Sequence, residues 1–231
     1  MSTKPIQMNV VKKSIVESSL IDDKNHTLWK ELNPIYDIMV IPNYNVYRLN
    51  YVTGSEEVHI HVTKNFVPAL FTHELLHLKL RSLGLNTFDY FELTLNKFVE
   101  FMTSTICNCV EHVLFFDDFI ELGYSNHEFT MDYNNSEYNL NTLKKLYSDI
   151  SAAQPKPIIE LFLTYAYWTL KNEEYMGVDR IKDLIWLKKT DPFVFAKCEK
   201  MFDEIIDFDL DSSTVQEDFN KLIAKYLRRN Y

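Results

Sequence analysis

Residues 66–84 read FVPALFTHELLHLKLRSLG, and few arrangements can accommodate them. On a helix of 3.6 residues per turn, Phe66, Val67, Ala69, Leu70, Phe71, Leu75, Leu76, Leu78 and Leu80 cover nearly the whole circumference. A helix that is apolar all round is buried. Its ends are signalled too. Asn65 can cap it, and Pro68 in the first turn lacks an N–H that would be unpaired anyway. Gly84 suits the left-handed residue that closes a helix. Yet this buried helix carries His73, Glu74 and His77. Buried without partners they would be costly, and a metal ion would satisfy them.

Positions i and i+4 of a helix face the same side, so His73 and His77 can aim two imidazoles at one ion. Glu74 can reach a water on that ion without ligating it. A catalytic zinc site keeps three protein ligands and one open position, so a third ligand must come from elsewhere. The next helix offers it in STICNCVEHVLFFDD, residues 104–118. Glu100, Ser104, Cys107, Glu111 and Asp118 form a polar stripe there at helical spacing. Glu111 sits among Val110, Val113 and Leu114, where a carboxylate needs a partner, and is the expected third ligand. His112 is the alternative. It is rotated about 100° from Glu111, so one of the two points at the metal and the other elsewhere. Asn108, one turn away, can orient either. A rival pair is His59 and His61, on one face of a strand. Cys107 and Cys109 stand about 200° apart on their helix and do not face one ion.

Around the helix the pattern is simple. Strands are expected at 38–41, 46–52 and 57–62, with Thr53-Gly54-Ser55 as a turn. In 57–62, Val58, Ile60 and Val62 alternate with His59 and His61, the pattern of a half-buried strand. Residues 1–25 are mixed and polar, with no element predicted. Beyond residue 87 the chain reads as helix, over about 87–121, 138–152, 156–173, 178–189, 192–206 and 213–229. Asp191-Pro192 and Ser213 with Gln216 mark two helix starts. The fold class is α+β, predominantly α: a small N-terminal sheet, an active-site helix and a C-terminal helical bundle. The 231 residues divide into a core over 1–130 and a helical extension over 131–231 packed on it.

Composition removes several functions. The four glycines, Gly54, Gly84, Gly123 and Gly177, build neither a Rossmann nor a P-loop phosphate site. A formal net charge of −9 without a basic stripe disfavours nucleic acid. No apolar run predicts a signal peptide or a membrane span. Three cysteines, odd in number, fit a reduced cytoplasmic setting better than a disulfide framework. The oligomeric state is left open.

With these residues in place, the chain resembles the zincin metallopeptidases. The resemblance rests on His73, Glu74 and His77, on EVHIHV just before their helix, and on Glu111 after it. Glu111 as third ligand makes the gluzincins the nearest class, and the small cytosolic zincins are similar in size and layout. The chain departs from many gluzincins at Phe115, where they carry an aspartate four residues after the ligating glutamate. The resemblance covers roughly residues 38–121. It implies a zinc metallopeptidase that hydrolyses a protein or peptide substrate, with Zn2+ as cofactor and Glu74 as general base. It also implies an extended substrate beside the strand at 57–62 as an edge strand. His127, Tyr133 and Tyr138 are the candidates for stabilising the oxyanion. The alternative is a non-catalytic or regulatory binding module on a zincin scaffold.

Overall fold

A computed structural model describes residues 11, 13–42, 48–51, 55–63, 65–85, 96–131 and 140–227. Among them are ten helices and one three-stranded sheet, an α+β fold in which α dominates. No helix is long and apolar enough to cross a membrane. The chain divides into two compact units. The first takes Met1–Ser82 and Asp118–Asn134, the second Leu83–Asp117 and Asn135–Tyr231.

The first unit opens with two short helices that sequence patterning did not announce, α1 (Lys13–Ser19) and α2 (His26–Leu32). Seven residues make two turns, too few for a periodic signal. Burial of Leu28, Trp29 and Leu32 holds α2 in place. Strands β1 (Asp37–Pro42), β2 (Arg48–Tyr51) and β3 (Glu57–Val62) follow, in the spatial order β1-β3-β2. β3 pairs in parallel with β1, Val40 opposite Ile60, and antiparallel with β2, Leu49 opposite Ile60. Val58, Ile60 and Val62 are buried, and His59 and His61 less so, as the alternation requires.

The helix α3 (Pro68–Ser82) packs against β2, β3 and α2. Residues 69 to 78 and Leu80 are all buried, so the helix is enclosed as its composition demands. Its start differs from the expected one. Val67 carbonyl, not Asn65, opens the helix, accepting from Phe71 N–H at 3.1 Å. Phe66 has φ 45, a left-handed backbone just before the helix. Gly84 has φ 84, the left-handed value expected past a helix end.

Helix α4 (Lys97–Glu121) runs unbroken for 25 residues, and its last turn from Asp118 belongs to the first unit. Asn96 caps it, its Oδ1 accepting from Phe98 N–H at 3.0 Å. The expected helix from 87 to 95 lies outside the described residues. A four-residue helix, α5 (Asn126–Phe129), completes the first unit and packs on α3. Ser125 and Glu128 form a reciprocal capping box at its start.

The second unit holds the rest of α4 with α6 (Leu140–Ala153), α7 (Lys156–Tyr175), α8 (Ile181–Thr190), α9 (Pro192–Ile206) and α10 (Val215–Leu227). α7 is central and packs on α6, α8 and α9. Its Tyr167 and Trp168 are fully buried, and each such side chain contributes about 1.5–3 kcal/mol. Phe101, His112 and Phe116 of α4 meet Tyr165, Asn172 and Tyr175 of α7 in that order, so these two helices run in the same direction. Asp191 caps α9 as expected, accepting from Phe193 N–H at 3.0 Å and Val194 N–H at 2.9 Å. The Ser213 cap is corrected. α10 begins two residues later, and Thr214 carbonyl accepts its first bond from Asp218 N–H at 2.9 Å.

Candidate metal centre

The i, i+4 spacing on α3 places the rings of His73 and His77 5.1 Å apart between centroids. His73 and Glu74 are each 6% exposed and His77 7%. Burial, and then the neighbouring His77, holds the pKa of His73 well below the ordinary histidine value. His73 is therefore neutral, the form that ligates metals.

A polar network grips the same helix one residue earlier. Thr72 Oγ1 lies 2.8 Å from Pro68 carbonyl and 3.1 Å from Tyr124 Oη, and accepts from Asn25 Nδ2 at 2.9 Å. Tyr124 donates to the Asp22 carboxylate at 2.9 Å, and Lys24 donates to Gly123 carbonyl at 2.7 Å. These bonds tie the chain before α2 and the chain after α4 to the middle of α3. Phe129 of α5 packs on His73, ring centroids 4.7 Å apart, and is braced edge-on by Phe119. Sequence reading missed Asn25, Thr72, Tyr124 and Phe129. The Ser125/Glu128 spacing was the one signal available, marking a helix start there.

Lys79 of α3 and Asp118 of α4 form an ion pair at 2.6 Å, within the first unit. Among the described residues, His73, His77 and His112 form a group whose ligand atoms all lie within 4.8 Å of one another. His112 is 1% exposed. Glu111, the expected third ligand, is 7% exposed on α4 and is not a member of that group. The structure thus gathers the alternative, His112, with His73 and His77.

Three imidazole nitrogens around a tetrahedral zinc at about 2.0–2.1 Å stand roughly 3.4 Å apart. The donors are three buried imidazoles and His73 is held neutral, so the chemistry of the donor set fits zinc.

The other sequence candidates go elsewhere. His59 Nε2 meets Glu57 Oε1 at 2.6 Å, and neither His59 nor His61 belongs to the three-residue group. Cys107, Cys109 and Cys198 are buried and outside it, and burial pushes the thiols of Cys109 and Cys198 up to about 12. His127 is exposed on α5, and Tyr133 and Tyr138 lie outside the described residues. The amide that meets His112 is Asn172 of α7, with Nδ2 3.3 Å from His112 Nδ1. The expected edge strand is corrected as well. β3 is the central strand, its backbone groups engaged by β1 on one side and β2 on the other. A peptide cannot add to it.

No protein-family model, curated protein or solved structure matches the chain.

Proposed function

We propose that the chain is a cytoplasmic zinc metallopeptidase of zincin type, with His73, His77 and His112 holding the ion and Glu74 as general base. One observation carries the reading: the ligand atoms of three buried histidines, His73 and His77 of α3 and His112 of α4, lie within 4.8 Å of one another, and the buried Glu74 follows His73 in the chain. The ligand set is all imidazole, in contrast to the carboxylate of gluzincins. Three neutral ligands leave the ion its full charge, and Glu74, one residue from His73, supplies a compensating negative charge. When bound, zinc lowers the pKa of a coordinated water toward neutrality and polarises a carbonyl. Glu74 then takes the proton of the attacking water and delivers it to the leaving amine. Phe129 excludes bulk water from the His73 side. With β3 enclosed, an extended substrate adds to β2, an edge of the sheet among the described residues.

A closed structural zinc site is the second reading, and the burial of all three histidines favours it. The chain would then be a binding or regulatory module. The Glu74→Gln variant separates the two. In the peptidase it retains about one zinc per chain and loses cleavage of an unfolded protein such as casein by about 10²–10⁴-fold. Cleavage by Glu74→Gln at the wild-type rate, or metal-loaded wild type that cuts no peptide library, removes the peptidase reading.

A further inference from the structure

His112 and Asn172 are each 1% exposed, and they face one another across the α4–α7 contact inside the second unit. His112 Nδ1 is taken up by the Asn172 side chain at 3.3 Å, so Nε2 is the ring nitrogen that a metal would use. Asn172 Oδ1 is buried and has no hydrogen-bond partner among the described residues. An asparagine amide can present either end to an imidazole, because its oxygen and nitrogen exchange places by half a turn. The choice has a chemical consequence. If Asn172 Nδ2 donates to His112 Nδ1, the ring proton sits on Nε2, and that nitrogen has no lone pair for a metal. If Asn172 Oδ1 accepts from Nδ1–H, Nε2 carries the lone pair.

We infer that Asn172 is the positioning residue of the third histidine, and that its amide selects between a metal-free and a metal-binding form of His112. In the metal-free form Nδ2 donates to Nδ1. In the metal-bound form the amide is reversed, Oδ1 accepts from Nδ1–H, and Nε2 ligates. The ring carries one proton in both forms. It leaves Nε2 and is replaced at Nδ1 by exchange with water, so no net proton is released at His112. Oδ1 gives up no hydrogen bond when the amide turns, and the bond lost at Nδ2 is replaced by Nδ1–H to Oδ1. α7 thereby governs whether His112 can serve as a donor. The inference rests on the metal-binding reading above, and not on peptidase activity.

Two side-chain replacements test it. Leucine at 172 fills the space and offers no polar atom. Aspartate can only accept, which enforces Nδ1–H. Zinc affinity, measured by competition with a chromophoric chelator, is expected to fall about 10–100-fold in Asn172→Leu and to be kept or tightened in Asn172→Asp. Circular dichroism melting checks that each variant is folded. Two-bond 15N–1H spectra of histidine-labelled wild type are expected to show His112 protonated at Nε2 without zinc and at Nδ1 with it. Wild-type affinity in folded Asn172→Leu overturns the inference. So does an equal loss in folded Asn172→Asp, or one unchanged tautomer with and without zinc. Should the variants not fold, the wild-type spectra alone decide. Should wild type bind no zinc, the metal reading fails by itself. The contact is then judged by the metal-free tautomer, which must be Nε2–H.

Discussion

Asn25 Nδ2 donates to Thr72 Oγ1 across 2.9 Å, and the same amide donates to Leu20 carbonyl at 2.8 Å while its oxygen accepts from Asp22 N–H at 3.0 Å. A fully buried side chain thus spans 47 residues of sequence to reach the neighbour of His73. Removing it strands buried donors and acceptors, which costs about 1–3 kcal/mol. Asn25→Ala is expected to lower the unfolding free energy by that amount, read as a lower urea midpoint with an unchanged denaturant slope. A midpoint within error of wild type would show that the network does not hold α3.

Glu111 and His112 are adjacent on α4 and both buried, so their replacements isolate the third ligand. His112→Ala is expected to lose zinc on dialysis, and Glu111→Gln to retain about one equivalent. Metal analysis by plasma emission reads both. The opposite pattern would restore Glu111 to the role first expected of it.

Arg180 joins Glu173 at 2.5 Å and Asp183 at 3.1 Å, with the Glu173 side chain 5% exposed. Glu173 follows Asn172, so this ion group sits beside the amide on His112. Breaking a buried pair leaves a charge without its partner and costs about 3–5 kcal/mol. Arg180→Leu is expected to lose about 3 kcal/mol of stability, and Glu173→Gln in that background to recover part of it. A double mutant no more stable than the single would contradict the pairing.

The thiols of Cys109 and Cys198 are held protonated by burial, up to about 12 against an ordinary 9.0. Since the thiolate is the nucleophile, neither is expected to react with a maleimide at pH 8 until the chain is denatured. Linkage fixes the sign of the pH effect. Between 9 and 12 the folded state keeps protons that the unfolded state has shed, so stability falls as pH rises through that window. The tyrosines Tyr124 and Tyr167, also raised by burial, act in the same direction. Denaturation midpoints at pH 8 and pH 10 check this, and equal midpoints would refute it.

The site was legible where spacing along one helix decides it. His73 and His77 share a face by arithmetic, and the apolar residues around them announce burial. What spacing cannot decide is rotation. Glu111 and His112 are about 100° apart, and only the packing of α4 on its neighbours determines which one turns to α3. Asn172 was illegible for a different reason: 60 residues separate it from His112, and no local pattern marks it. The strands were read correctly, but their order was not. Alternation identifies a strand's buried face and says nothing of its neighbours, so β3 was taken for an edge.

β1 and β2 both pair with β3, and β3 is made last of the three. As the chain emerges from the ribosome, β1 and β2 are made before β3, the strand with which both pair among the described residues. The six residues of β3 supply both ladders at once, and α3 follows within a few residues. Sheet assembly is therefore a single late event in synthesis, directly upstream of the helix that bears His73 and His77. A pause in translation before residue 57 would prolong the time for which both strands stay open to other chains.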